Sequence, residues 1–201
     1  MTQPFKKNWI QNSEMHYSVK EYMSWDDDKR YELIAGSLYG LAPAPRTKHQ
    51  KISVSISSRI FMQLIGKDCK IFEAPTDVVL SEDTVVQPDI MIICDKSKIA
   101  EKFIDGAPEV IFEILSPSTS FKDKQIKLHL YEKYGVKEYF IVSPDQEIVE
   151  LYRLKKDKFQ FPIVYNWDQK IKINTIDVEL KLWEIFEKNF PEEKNAKTEK
   201  L

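Results

Sequence analysis

Three residues of this 201-residue chain combine types and spacing suited to chemistry: Asp89 in the run VVQPDIMIIC, Glu113 in PEVIFEILSPS and Lys127 in FKDKQIKLHLYEKYG. The first two runs are strongly apolar, and a lone carboxylate among such residues loses hydration that a protein interior does not return. Two carboxylates so placed call for a cation between them. An amine carried on the next element makes a site plausible. The bland reading is structural: Asp89 caps its strand, and Glu113 pairs with a core lysine or arginine, Lys127 included. A buried ion pair is weak evidence for anything beyond itself.

The elements that must position these side chains are two strands and a helix. Pro88 suits a strand start because it has no N–H to give the ladder. A period of two then puts Asp89, Met91 and Ile93 on one face and Ile90, Ile92 and Cys94 on the other. In the second strand Val110, Phe112 and Ile114 face one way and Ile111, Glu113 and Leu115 the other. Strands that are apolar on both faces are typically covered on both, which predicts a Glu113 at least partly buried. Ser-Pro-Ser-Thr-Ser at 116–120 supplies turn chemistry and candidate N-caps, and Gly135 a C-terminal stop. At about 100° per residue, Asp123, Ile126, Lys127, Leu130, Tyr131 and Tyr134 form one stripe. Lys127 occupies the middle of that apolar face, whereas Lys124 and Glu132 point elsewhere and Lys124 is expected in solvent.

Along the rest of the chain, Ser18 and Glu21 form a capping box for a short helix in SVKEYMSW, ended by the acidic cluster Asp26 to Asp28. YELIAGSLYGLAP reads as a hairpin turning at Ala35 and Gly36. Glu32 lies on its first strand and by itself reads as a solvated strand residue. Thr47 to Gly66 is a helix with Ile52, Ile56, Ile60 and Leu64 in one row and His49 in its first turn, ordinarily a surface place. Strands are expected at 69–73, 76–80 and 86–94, with a helical turn at 97–101. Asp77, in TDVVL, is as compatible with a strand-end hydrogen bond as with a supporting acid. KEYFIVSP, EIVELYRL and KFQFPIVYN are rich in β-formers and are expected as antiparallel strands extending or flanking the sheet, with a tight turn at Pro144-Asp145. An amphipathic helix with Leu182, Ile185 and Phe186 is expected from Val178 onward. No internal repeat, glycine-rich phosphate loop or serine-nucleophile elbow is present.

Length allows one substantial domain, expected over 16–188, after a flexible segment 1–15 and before a charged tail 189–201. With 30 basic and 32 acidic residues the net charge is −2, which counts against a strong non-specific binder of nucleic acid, since backbone affinity rests on Lys and Arg. Cys69 and Cys94 are expected as buried thiols in a reducing compartment. Two cysteines are too few for a zinc cage, and His16, His49 and His129 lack ligand spacing. The amino terminus has no apolar signal core, and no apolar run approaches the ~20 residues that span a bilayer. A cytoplasmic protein with no membrane contact is expected.

The ordered string QPD at 87–89, GAPEVIFEILSPST at 106–119, and Asp123, Lys127 and Tyr131 leading into GVKEYFIVSP resembles a bacterial family of restriction-endonuclease-like proteins long catalogued as a domain of unknown function. That family belongs to the PD-(D/E)XK nuclease superfamily. The resemblance reaches upstream to YELIAGSLYGLAPAPRTKHQ and FEAPTDVVL and covers roughly Tyr17 to Leu154. It implies an α/β (α+β) fold: a restriction-endonuclease-like core with a central mixed β-sheet flanked by helices, plus additional antiparallel strands. Two departures stand out. Leu115 occupies the place where superfamily members commonly carry lysine, which implies a migrated lysine, Lys127. Ala35 and Ser37 replace residues usually acidic in the family, although Glu32 is kept.

What the resemblance implies for chemistry is a Mg²⁺-dependent endonuclease acting on DNA, with Mn²⁺ able to substitute. Asp89, Glu113 and the backbone carbonyl of Ile114 hold the metal in this reading, and water fills the remaining positions. The ion polarises the phosphate and activates a water, and Lys127 orients that water or offsets developing charge. Glu32 becomes an extra metal-site or water-positioning carboxylate, and His49 faces the cleft to contact phosphate or position water. Asp77 and Asp123 stand behind these groups. A homodimer is expected from the family and from the aromatic-rich C-terminal strands. The competing hypothesis is a nuclease-like scaffold without activity that acts as an interaction module, since a fold does not guarantee a function.

Overall fold

The computed structural model describes residues 15–26, 29–41, 45–116 and 120–190. Most of the expected flexible start and charged tail, Asp27 and Asp28 of the acidic cluster, and the candidate caps at 117–119 lie outside the described residues.

A four-residue helix α1 (Val19–Tyr22) opens the described chain, its capping box closed between Ser18 and Glu21. Strands β1 (Tyr31–Ile34) and β2 (Ser37–Gly40) pair as a hairpin. Its two-residue turn has φ of 47° at Ala35 and 74° at Gly36, the positive values that hairpin turns of this length require. Glycine is needed at 36 for a second reason: a Cβ there would sit 2.3 Å from the His16 ring. Helix α2 (Thr47–Leu64) buries Ile52, Ile56, Ile60 and Leu64 in a single row. Then come β3 (Lys70–Glu73), β4 (Asp77–Ser81), β5 (Thr84–Val86), β6 (Ile90–Ile93), a 3-10 turn at Lys96–Lys98, β7 (Phe103–Asp105) and β8 (Val110–Ile114). A π-helical segment at Lys122–Lys127 runs directly into α3 (Leu128–Lys133). The chain continues through β9 (Glu138–Ser143), β10 (Ile148–Lys155), β11 (Lys158–Phe159), β12 (Ile163–Asn166), β13 (Lys170–Ile173), β14 (Val178–Lys181) and α4 (Leu182–Ile185).

The central sheet has the order β11-β10-β9-β8-β6-β3, with β12 also on β10. It is mixed: β8 and β9 run parallel, and its other pairs are antiparallel. Its strands bury both faces, as their apolar runs predict. Ile90, Ile92, Val110, Phe112 and Ile114 join one core cluster with α2, β13, β14 and α4. Met91, Ile93 and Ile111 join the other with Leu130, Tyr131 and residues of the second sheet. That second sheet has the order β2-β1-β5-β4-β7, and β13 and β14 form a separate hairpin. The α+β architecture is therefore the one expected, although much of the cover on one face is sheet rather than helix.

Four local expectations are corrected. The stretch 86–94 is not one strand: β5 belongs to the outer sheet and β6 to the central one, and Gln87-Pro88-Asp89 is the crossing between them. Pro88, with no N–H for a ladder, suits that break. Residues 178–181 form a strand, with Val178 and Leu180 buried and Glu179 and Lys181 exposed, so a period of two wins and only Leu182–Ile185 is helical. β9 is parallel to β8, not antiparallel to both neighbours. Finally, Cys69 and Cys94 are only half-buried and are joined as a disulfide. The β3–β6 register, with Lys70 opposite Ile93, sets the two cysteines face to face at the next position, and their Cα atoms are 3.9 Å apart. No helix among the described residues is long and apolar enough to cross a membrane.

Candidate active site

At the end of the β6–β8 ladder two acids meet. The register Ile90↔Phe112, extended by one position, sets Asp89 beside Glu113. Asp89 is held from two sides: Oδ2 accepts the Ile114 N–H at 2.7 Å and lies 3.1 Å from Nε2 of His49. Its own carbonyl accepts the Ala74 N–H at 3.1 Å, which ties the β3–β4 link to the crossing. No hydrogen bond to Oδ1 is made among the described residues. His49 reaches Asp89 from the first turn of α2, and its Nδ1 is buried without a hydrogen-bond partner among the described residues. Burial disfavours charge on the imidazole, but the bond to Asp89, the Asp89 and Asp123 charges and the Ile114 carbonyl outweigh it, so its pKa is raised.

Glu113 is 3 % exposed. Its Oε1 accepts Lys127 Nζ at 2.6 Å and the Tyr131 hydroxyl at 2.8 Å, both from the face predicted for that helix. Oε2 takes neither bond. Lys127, 2 % exposed, also lies 2.8 Å from Oε1 of Glu32 and 3.7 Å from Oδ1 of Asp123. Burial works against its charge, but Glu113, Glu32 and Asp123 hold the ammonium protonated well above its ordinary range. Burial, together with the Glu113 and Glu32 charges, raises the Tyr131 hydroxyl well above its usual value and keeps it a donor.

Glu32 is wholly buried on β1, not solvated. Oε1 accepts the Gln87 N–H at 3.0 Å as well as Lys127, and Oε2 accepts Lys122. Burial would raise its pKa, but Lys127 and Lys122 together overcome that and hold the carboxyl at about 2. Glu113 goes the other way. Burial lifts it well above the carboxylate range, Lys127 pulls it back, and Asp123, Asp89 and Glu32 add to the rise. The carboxyl groups of Asp89, Glu113, Glu32 and Asp123 thus lie among the Lys122 and Lys127 ammoniums and the His49 imidazole.

Asp89, Glu113, Ile114, Lys122, Asp123, Lys127 and His49 all line one cleft of about 460 Å³, rimmed by Arg30, Arg46 and Gln50. Among the described residues no group of three or more His, Cys, Asp or Glu side chains is disposed to hold a metal. The set that suits a hard cation is smaller. Among the described residues Asp89 Oδ1 and Glu113 Oε2 accept no hydrogen bond, and Ile114 lines the same cleft. Oxygen donors with room for water fit Mg²⁺, which keeps several waters of its own.

The other sequence candidates fall around this centre. Asp77 stands off the cleft, where Oδ1 accepts the Tyr22 hydroxyl at 3.0 Å and Gln87 Nε2 at 2.8 Å. Gln87 in turn donates its backbone N–H to Glu32 and accepts Arg30. Asp123 is buried beside Lys127, and its carbonyl accepts the Tyr139 hydroxyl at 3.1 Å. Lys124 is half-buried in an ion pair with Glu150 rather than free in solvent. Lys122 was not among the sequence candidates. On an α-helix it stands about 140° from Lys127, off the stripe. The π segment, whose hydrogen bonds run i to i+5, brings residues five apart toward one face. Nothing in the residue pattern announces that change.

Residues 19–182 match the family described as "Uma2: Putative restriction endonuclease". An uncharacterized protein of Synechocystis sp. is 26 % identical over 164 residues, 79 % of this chain and 85 % of that one. A crystal structure from Anabaena variabilis, described as a "putative nuclease", superposes with a TM-score of 0.72 at 21 % identity, covering 85 % of this chain and 98 % of that one. At that identity the likeness speaks for the fold.

Proposed function

The chain belongs to the family described as "Putative restriction endonuclease", and from that premise we propose that its cleft hydrolyses phosphodiester bonds of DNA with a bound Mg²⁺, for which Mn²⁺ can substitute. The observation that carries this reading is the meeting of Asp89, Glu113 and Lys127 on one cleft wall, with one oxygen of each acid already fixed by protein donors. The cation would be held by Asp89, Glu113 and the Ile114 carbonyl. When bound it supplies positive charge to the phosphate and lowers the pKa of a coordinated water.

The chain's own residues do the positioning. The Ile114 N–H and His49 fix the Asp89 carboxylate from two directions, so its orientation costs no reorganisation when substrate arrives. Lys127 and Tyr131 both donate to one oxygen of Glu113 and fix its carboxyl, leaving the other oxygen for the cation. Lys127 stays charged and offsets negative charge that builds on the phosphate. His49, from the first turn of α2, is the titratable group paired with Asp89 on the cleft wall. Glu32 fixes Lys127 from behind. A purely structural ion pair accounts for Lys127 and Glu113, but not for Asp89, whose nearest cationic partner is a histidine on the cleft wall.

Single changes Asp89→Ala, Glu113→Ala and Lys127→Ala test the reading on supercoiled plasmid DNA with Mg²⁺. Each is expected to lower the cleavage rate by on the order of 100-fold or more, the scale for losing a group aimed at the transition state. Cleavage that survives every change in folded protein overturns it.

A further inference from the structure

Lys122 has the geometry of a second cation of the site, and nothing in the role given to Lys127 accounts for it. Lys127 is nearly saturated: Glu113 and Glu32 take two of its donors at 2.6 and 2.8 Å, Asp123 lies 3.7 Å away, and its side chain is 3 % exposed. Little of that ammonium remains for direct contact with a ligand, so Lys127 acts on the phosphate through its charge. Lys122 differs on each count. Its side chain is 11 % exposed, it lines the cleft, and Oε2 of Glu32 is its ion-pair partner. An ammonium has three N–H donors, and among the described residues Glu32 takes one of those of Lys122.

The backbone supports the same conclusion. Residues 122–127 leave the α-helical pattern for a π segment that begins at Lys122 and ends at Lys127, and the two lysines converge on the two oxygens of one carboxylate. Such single-turn departures recur at functional sites. Glu32 is fully buried, and both of its oxygens are occupied by Lys127, Lys122 and the Gln87 N–H, so it acts as the anchor of two amines rather than as a free ligand.

We propose that Lys122 contacts a non-bridging phosphate oxygen of the DNA strand in the cleft, with Glu32 as the positioning residue that aims it. The inference rests on the nuclease reading of the same cleft. A point cation on a phosphate affects all sequences alike and shows in the salt dependence of binding.

The test is equilibrium binding of a fluorescein-labelled DNA duplex by anisotropy, with Ca²⁺ in place of Mg²⁺, over a series of NaCl concentrations. Lys122→Gln can still donate to Glu32 but carries no charge. It is expected to flatten the slope of log affinity against log salt by about 0.9, the value for one lost phosphate contact on duplex DNA. Lys122→Arg, which keeps the charge, is expected to retain the wild-type slope, and it serves as the folded comparison should the neutral variant prove unstable. In that event Lys122→Met, of similar length, takes its place. A neutral variant that folds and keeps the wild-type slope overturns the assignment, because a purely structural ion pair leaves that slope unchanged. If cleavage by the wild-type protein still requires Asp89, only the role of Lys122 falls. Wild-type protein that neither binds nor cuts the duplex removes both the assignment and the nuclease reading.

Discussion

Glu32 and Glu113 are neighbours of the same lysine, yet their environments drive their acidities apart. Two ammoniums and a backbone N–H face Glu32, and its carboxyl is held at about 2, below the ordinary 4.5. A depressed carboxyl contributes stability that is fully present above its unfolded pKa and lost as pH falls through the folded one. Urea unfolding between pH 5 and 2 is therefore expected to show a loss of about 3 kcal/mol in the wild type that Glu32→Gln lacks. Identical pH profiles for the two proteins would contradict this. Glu113 has the opposite sign: burial and three nearby carboxyls raise it well above its ordinary value, so its ionised form opposes folding as pH rises past 4.5. Glu113→Gln is accordingly expected to raise the Tm in EDTA, by about 2–4 °C for each kcal/mol relieved, while cleavage is lost. A lower Tm would mean that Lys127 needs the Glu113 charge more than the fold is burdened by it. The burial of Glu113 was legible in the sequence because its strand neighbours are apolar on both faces. The burial of Glu32 was not, since YELI reads equally well as the strand of an exposed hairpin.

At the scale of elements, what the sequence made legible follows simple periods. The faces of β6 and β8, the buried row of α2 and the part of the Lys127 stripe on α3, Leu130 and Tyr131, follow periods of 2 or 3.6, and core packing keeps them. The misses occur where the backbone leaves those periods. The chain changes sheets at Gln87-Pro88-Asp89, and a π segment replaces the first turns of the helix that bears Lys127. Both departures carry site residues. β14 was misread because its four residues flow into a helix that shares its apolar side chains, so Leu182 and Ile185 lent the strand a helical look. The Cys69–Cys94 link was missed because it depends on the β3–β6 register, which residue types alone do not fix. It closes a loop with a sequence separation of 25 residues. Cys69→Ser/Cys94→Ser is expected to lose about 3 kcal/mol relative to the oxidised wild type in urea unfolding. Equal stability of the two proteins, or two titratable thiols in the wild type without reductant, would contradict the link.

Across the whole molecule, a net charge of −2 coexists with three basic side chains, Arg30, Arg46 and Lys122, along one cleft. Such a surface suits a protein that engages DNA over a short stretch at the cleft rather than along a broad basic face. The homodimer expected from the family has a candidate seat on β12, which pairs only with β10 among the described strands and where Ile163, Val164 and the neighbouring Phe161 are 46, 51 and 96 % exposed. Sedimentation equilibrium is expected to return twice the chain mass, and Ile163→Lys, which charges that edge, to return the monomer. Wild-type protein that is monomeric at all concentrations would remove this expectation and leave the cleft untouched. Everything proposed for the cleft depends on a cation between Asp89 and Glu113. The most direct measurement is anomalous diffraction from a crystal soaked in Mn²⁺. The account predicts a peak within coordination distance of the Asp89 and Glu113 carboxylates and the Ile114 carbonyl. A crystal whose cleft shows no such peak at millimolar Mn²⁺, or whose manganese binds away from both acids, would contradict it.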